Sequence, residues 1–455
     1  FAARYAAQMF TRRAFAGLAA AATAAAVQTA SAQANGARRA EVEALRAFAE
    51  RTHPRGREAA AHADWRARWD ALAAEADTLT DGAYFIRVRR ALSWFNDGHT
   101  TALPFEFIGG TPEPLRTGPF ARSLPWRVRV FHDGAYVIAA RDEAASLLGR
   151  RVERVGSHST IDLIRAHATQ WCGSDVWAHR WAGAPFASPA LLEGFGAVSD
   201  AATMNVVAGG RTARLRPRAD VGELTPFPRP ALAEETWAAE ARFGNYVRAL
   251  PEHRALYISC DDMADLDGRT FEQFTREAFA AIENAAIERV ILDLRRNGGG
   301  NNFLAEPLRK HLGRSRFNRP GGLYVLTGPI TFSAAQNPAT RLERETYAIF
   351  VGEPTGSSPN HYGDAALFTG EATGIVSIVS TLPWFDSYPM DERQWIMPDI
   401  FTPSTFADWA AGSDAALDAA LAHRTDAAPD DLARDRIFFY ARASQEAPWR
   451  PFWRG

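Results

Sequence analysis

The chain has 455 residues, 47% of them hydrophobic and 23% charged, with a formal net charge of −2 at pH 7. The length favours two or three domains over a single core, and the near-neutral charge offers no case for binding nucleic acid or an anionic membrane surface. Two cysteines, Cys172 and Cys260, cannot build a disulfide framework or a zinc site; they read as free buried thiols, one bridge between them being the alternative.

Residues 1–34 have the grammar of an export signal. Thr11-Arg12-Arg13-Ala-Phe15 precedes an alanine-rich apolar run that ends in small residues around Ala30, Ala32 and Ala34. A basic n-region, an apolar h-region and a small-residue cleavage site are therefore all present, and the paired arginines resemble a twin-arginine signal, which implies export to the periplasm. No later stretch approaches the ~18 apolar residues of a membrane span. Residues 35–104 carry helical spacing (Val42, Leu45, Phe48; Trp65, Trp69, Leu72; Phe85, Val88, Leu92, Phe95) and end in a turn, Asn96-Asp-Gly-His99-Thr100, with a histidine at its tip. Residues 105–218 alternate as strands over 126–131, 135–139, 147–155, 203–207 and 212–215, with a helical insertion at about 160–200 that holds Trp171, Trp177 and Trp181. Residues 219–242 read as a proline-containing linker. Over 243–425 strand and helix alternate, the pattern of an α/β layer with parallel strands, and 426–455 form an Asp/Arg/Trp-rich tail.

Two strand-to-helix turns in the 243–425 segment carry the chemistry. The apolar run 290–294 stops in Gly298-Gly-Gly300 before a helix predicted over 304–312, and the strand 323–326 turns through Gly328-Pro-Ile into a helix opened by Ser333. A serine in that position is by default a helix cap. Beside a glycine turn, with small Ala334 and Ala335 behind it, it is also placed as a nucleophile. Acyl transfer requires a hydroxyl and two N–H groups about 3 Å from one carbonyl oxygen. The amide of Gly299 or Gly300 and that of Ala334 supply candidates. The only lysine, Lys310, lies on the amphipathic helix beyond the glycines, a solvated setting, so the base is sought among the eleven histidines. His99, on its turn, is the first candidate, and His361, in a Gly/Ser/Pro/Asn-rich loop, is the second.

Five motifs, in order, carry a resemblance. Asn96-Asp-Gly-His-Thr100, Asp293-Leu-Arg-Arg-Asn-Gly-Gly-Gly300, Thr331-Phe-Ser-Ala-Ala335, Val351-Gly-Glu-Pro-Thr-Gly356 and Met397-Pro-Asp-Ile400 resemble the tail-specific, or C-terminal-processing, serine peptidases. The resemblance implies a crotonase/ClpP-like catalytic core of ββα units and a PDZ-like domain at about 105–218, beside the helical N-terminal domain that the spacing over 35–104 predicts. It makes Ser333 the nucleophile. Many members pair that serine with a lysine 25 residues on, where this chain has Ser358. The branch that includes the tricorn core protease uses Ser-His-Glu instead, which His99 and Glu392 match, with Asp391 as the neighbouring alternative acid. Asp97 is expected to shape the His99 turn, and Asp293 with Arg295 to form a structural ion pair or to brace the turn.

The function expected is peptide hydrolysis through an acyl-enzyme, on an exported or unfolded polypeptide, with no metal or organic cofactor. One rival is a catalytically silent PDZ-like peptide-binding protein. The other is a hydrolase of non-peptide esters or amides. Ser333 has no Gly-x-Ser-x-Gly elbow around it, and Gly298-Gly-Gly300 has neither a dinucleotide fingerprint nor a Gly-Lys-Ser/Thr pair.

Overall fold

The computed structural model describes residues 36–103, 105–108, 111–114, 120–199, 201–230, 244–266, 268–425 and 451–454. The expected export signal, much of the expected linker and most of the expected tail lie outside them.

The chain opens with helices α1 (Ala37–Thr52), α2 (Gly56–Ala61), α3 (Ala63–Glu75) and α4 (Asp81–Leu92). Their apolar stripes meet as the spacing required: Val42, Leu45, Trp65, Trp69, Phe85 and Val88 are buried together. A short 3-10 turn, Ser93–Phe95, ends at Asn96 in the left-handed conformation, and this reverses the chain towards His99. Strand β1 (Thr101–Leu103) follows, then the hairpin β2 (Phe105–Ile108) and β3 (Thr111–Pro114).

Strands β4 (Trp126–Phe131) and β5 (Gly134–Ala140) form an antiparallel pair. Next come β6 (Val152–Val155) and β7 (His158–Ser159), then helices α5 (Thr160–Ala168), α6 (Asp175–Trp181), α7 (Ala184–Ala187) and α8 (Pro189–Gly194). Strands β8 (Met204–Ala208) and β9 (Arg211–Leu215) complete a four-stranded sheet ordered β7-β6-β8-β9, and β10 (Thr225–Pro226) edges the β5-β4 pair. The strand expected over 147–155 is shorter than its apolar pattern suggested, because Leu147 ends a 3-10 turn and Gly149, at φ +76°, breaks the extended run before β6.

The largest sheet has six strands ordered β11-β12-β13-β14-β15-β20: β11 (Tyr246–Leu250), β12 (Ala255–Ser259), β13 (Arg289–Asp293), β14 (Leu323–Thr327), β15 (Ile349–Gly352) and β20 (Ile400–Phe401). Only β11 runs antiparallel to its neighbour. Its central strands β12, β13 and β14 are buried throughout and mostly apolar because both faces are covered. Val290, Leu292, Leu323 and Val325 face helices α9 (Phe271–Ile282), α10 (Glu306–Arg314) and α11 (Gln336–Glu345). Ile291, Tyr324, Leu326 and Val351 point the other way, together with Leu417. Between β15 and β20 the chain adds β16 (Asn360–Gly363), β17 (Ala366–Thr369), β18 (Val376–Val379) and β19 (Leu382–Phe385). These make two small sheets, β1-β18-β17 and β16-β19. Helices α12 (Phe406–Ala411) and α13 (Ala415–Ala422) close the described core. No described helix is long and apolar enough to cross a membrane. The architecture is mixed α/β with several sheets.

Candidate active site

Parallel strands deliver their C-terminal ends to one edge of a sheet, where successive loops can share a site. Here those loops are 294–301 after β13, 328–335 after β14 and 353–359 after β15. The pairing of β1 with β18, Thr101 opposite Ile378, brings the His99 turn to the segment that follows β18.

Ser333 lies in a 3-10 turn, Ser333–Ala335, ahead of α11, and its side chain caps nothing. Its φ is +56°, a left-handed conformation that costs a non-glycine residue roughly 1–3 kcal/mol. The default reading of Ser333 as an N-cap therefore fails. Gly299 packs directly against it. A Cβ on Gly299 would sit 2.7 Å from Ser333 Cβ and 3.1 Å from Ser333 Oγ, and the φ of +123° at Gly299 is itself glycine territory. The Gly299 N–H donates to Asn297 Oδ1 at 2.9 Å, so this amide, one of the expected oxyanion donors, is already engaged. The amides of Gly300 and Ala334 donate to no described residue.

His99 is buried. Its ring stacks on Phe332, the residue before Ser333, with centroids 4.4 Å apart. Its Nε2 has no hydrogen-bond partner among the described residues. Its Nδ1 lies 3.7 Å from Asp97 Oδ1, longer than a hydrogen bond. Asp97 does shape the turn, accepting the His99 N–H at 3.0 Å and the Thr100 hydroxyl at 2.6 Å. It also accepts the Ser380 hydroxyl at 2.6 Å and lies 3.5 Å from His53 Nε2. Burial by itself would raise the Asp97 pKa; contacts with His53 and His99 outweigh it and hold the carboxyl far below the usual range. An ionised carboxylate thus sits between two imidazoles.

His361 is placed on β16, not in the loop its composition suggested, because residues 360–363 pair with β19. Its ring lies nearly parallel to that of His99, with centroids 5.9 Å apart. His361 Nδ1 is 3.2 Å from the Ser358 carbonyl, which only accepts, so Nδ1 carries the proton. Burial, and then His99 nearby, push its pKa down to about 4.

Glu392 is exposed at the rim of a cavity of about 460 Å³ that also touches Asp97, Gly98, Phe332, His361 and Tyr362. Asp391 is committed elsewhere: Arg393 Nε donates to it at 2.9 Å and the Ser387 hydroxyl also donates. Burial would raise its pKa, but Arg393 brings it below the usual range. Asp391 is therefore not free to orient an imidazole, and the same Arg393 binds Glu343. Lys310 is exposed, 3.7 Å from Glu306. Asp293 and Arg295 form the expected pair, extended by Asp414. Both cysteines are free and buried. Among the described residues no group of His, Cys, Asp and Glu has metal-holding geometry.

Sequence reasoning missed the packing that joins these loops. Trp177 of α6 stacks on Phe332 at 3.9 Å and 6°, so His99, Phe332 and Trp177 form a layered stack. A Cβ on Gly98 would meet the Phe332 ring at 2.8 Å, and one on Gly356 would meet Trp177 at 3.0 Å. The Ser174 hydroxyl donates to the Gly356 carbonyl at 3.1 Å. The glycines at 98 and 356 were visible inside motifs; what they make room for was not.

No protein-family model and no curated protein matches this sequence. Among solved structures, mature CPAF aligns over 91% of this chain and 99% of its own, with a TM-score of 0.56 at 12% identity. Mature CPAF complexed with lactacystin gives a TM-score of 0.54 at 11% identity, over 91% and 99%. The chain has the CPAF fold. That likeness spans nearly the whole of both chains, so the helices before His99, the sheets of 126–215 and the six-stranded layer all belong to one CPAF-like arrangement.

Proposed function

We propose that this protein is a serine peptidase of the C-terminal-processing type, acting on exported or unfolded polypeptides. The observation that carries the reading is Ser333, held in a left-handed conformation against Gly299, with an unpartnered Oγ, next to a residue on which the His99 ring is stacked. His99 Nε2 accepts the Ser333 proton as Oγ attacks the peptide carbonyl. The N–H groups of Gly300 and Ala334 hold the oxyanion. His99 then protonates the leaving amine, and water, deprotonated by the same imidazole, releases the acyl group. Asp97 is the carboxylate the geometry favours for stabilising the imidazolium; Glu392, on the cavity rim, is the alternative acid. His361, with Nδ1 bonded and its proton affinity lowered by burial, is a neighbour of the base and no substitute for it.

The same reading assigns a crotonase/ClpP-like core to 243–425, a PDZ-like domain with its helical insertion to 105–218 and a helical domain to 35–104, with a twin-arginine signal at 1–34 directing export to the periplasm. Labelling of the purified protein by a fluorophosphonate probe, with hydrolysis of unstructured peptides, tests it. Wild type is expected to label, and Ser333→Ala and His99→Ala to lose roughly 10⁴–10⁶ in rate. Peptidase activity that survives in Ser333→Ala sinks the assignment.

A further inference from the structure

A carboxylate that supports an imidazole base must itself be held still, and its other contacts decide whether it is. Asp97 is buried and draws donors from distant parts of the chain. Its Oδ1 accepts the His99 N–H and faces the His99 ring. Its Oδ2 accepts the hydroxyls of Thr100 and Ser380. Oδ2 also faces His53 Nε2 at 3.5 Å, and this imidazole has no step in the proposed mechanism.

His53 follows helix α1, and its backbone is fixed on both sides. Its N–H donates to the Ala49 carbonyl at 3.0 Å, and its own carbonyl accepts the Gly56 N–H at 2.7 Å. Gly56 lies so close to the end of α1 that a Cβ would meet the Glu50 carbonyl oxygen at 2.1 Å. The His53 side chain is fully buried, stacked on Phe95 with ring centroids 3.9 Å apart and with the Tyr362 ring at 4.9 Å. The Arg55 N–H donates to Nδ1 at 3.0 Å. A ring nitrogen that accepts carries no proton in the neutral imidazole, so the proton sits on Nε2. Nε2 has no hydrogen bond of ordinary length among the described residues. Buried N–H groups rarely stay unpaired, and the acceptor this one faces is Asp97 Oδ2.

We propose that His53 is a positioning residue for the chemistry at Ser333: its Nε2–H anchors Asp97 Oδ2 and leaves Oδ1 turned towards the His99 imidazole. This rests on the peptidase reading and extends its machinery to the end of α1. Fixing one oxygen stops the carboxylate from rotating about its own bond, and a carboxylate that turns away leaves the imidazolium of His99 unsupported. Burial favours the neutral form of the Asp97 carboxyl, and His53 heads the contacts that keep it charged. Hydrogen bonds in such sites are commonly long before a substrate is bound and shorten as charge develops.

Kinetics and a spectrum test this in the full chain. His53→Phe keeps a ring on Phe95 and deletes the donor, whereas His53→Gln places an amide N–H near the Nε2 position. With an unstructured peptide as substrate, His53→Phe is expected to lower kcat about tenfold or more with KM within about threefold of wild type. His53→Gln should recover most of that loss. In an Asp97→Asn background the charge is gone, and His53→Phe should then cost about twofold at most, since groups that act as a unit are not additive. An equal factor in both backgrounds, or a glutamine variant as slow as the phenylalanine one, reduces His53 to a core filler and overturns the proposal; melting curves check that each variant folds. NMR of selectively labelled histidine nitrogens in wild type reads the tautomer without any catalysis, the His53 signals being those lost in His53→Gln. A proton on Nε2 is expected, and one on Nδ1 overturns the role of His53 while leaving Ser333 untouched. Wild type that fails to label with a fluorophosphonate, with the Nε2 proton in place, overturns the peptidase reading instead, and the role of His53 with it.

Discussion

Ser333 keeps a backbone conformation its side chain disfavours, and the surroundings enforce it: the missing Cβ of Gly299 on one side, the buried Phe332 and Ala334 before and after it. Strain of this kind persists where a function holds it in place. Asp97 shows a second form of pre-organisation, with two hydroxyls and one backbone N–H fixing a buried carboxylate next to His99. Asp97→Asn keeps the shape and removes the charge. It is expected to lower kcat on a peptide substrate by about 10²–10⁴, whereas Glu392→Gln, at an exposed rim position, stays within about threefold of wild type. Steady-state kinetics on both variants decide, and the reverse ranking would make Glu392 the acid. At this scale the sequence was informative about residue types and less so about partners. The Asp-Gly-His turn marks His99, but the approach of Ser380 and His53 to Asp97 depends on contacts across 283 and 44 residues, and no local spacing encodes those.

Helix α6 is the element that reaches from the 105–218 region onto the loops that carry Ser333 and His99. Its Trp177 lies flat on Phe332, and Gly173, just before the helix, packs on Gly98 so closely that a Cβ would meet it at 3.0 Å. In the proposed mechanism Trp177 acts on His99 through Phe332, as a positioning residue. Trp177→Phe retains a stacking ring, while Trp177→Leu fills space without one. The leucine variant is expected to lose about tenfold or more in kcat with KM little changed, since a small misplacement of the imidazole acts on the reaction and not on substrate affinity. The phenylalanine variant should recover most of that loss. Equal kinetics in the two variants would reduce Trp177 to a core filler. The helices of 160–194 were legible as helices, because their turn residues and apolar spacing are local. The stack was not, because a tryptophan at helical spacing has the same sequence signature whether it meets a core or a catalytic loop. The strand at His361 was hidden for a related reason: Ser, Pro and Asn around it favour a loop, and pairing with β19 overrides that preference.

For the molecule as a whole, buried groups of opposite kinds set the response to acid. Burial pushes His361 and His179 down to about 4 and takes His167 well below its ordinary value. It raises Asp262 and Glu353 to about 7. Between the ordinary histidine pKa of 6.5 and about 4, an unfolded His361 takes up a proton that the folded one refuses, so its contribution to stability is complete above pH 6.5 and is lost as pH falls towards 4. The carboxylates work in the opposite sense: folded Asp262 and Glu353 hold protons that the unfolded chain releases, so they favour the fold more as pH falls from 7 towards 4. The melting temperature of wild type is therefore a poor test of any single group, and the difference between two proteins is the useful quantity. His361→Gln replaces the ring with a neutral amide that does not titrate. It removes a stack, a loss that is constant with pH, and it removes the acid sensitivity as well. The stability gap between wild type and variant is expected to shift in the variant's favour by about 1.4 kcal/mol for each pH unit below 6.5, read from urea unfolding at pH 7.5, 6.0 and 5.0. Parallel curves would mean that His361 takes up its proton in the folded state as readily as in the unfolded one, and would place a charged imidazole beside His99 below pH 6.5.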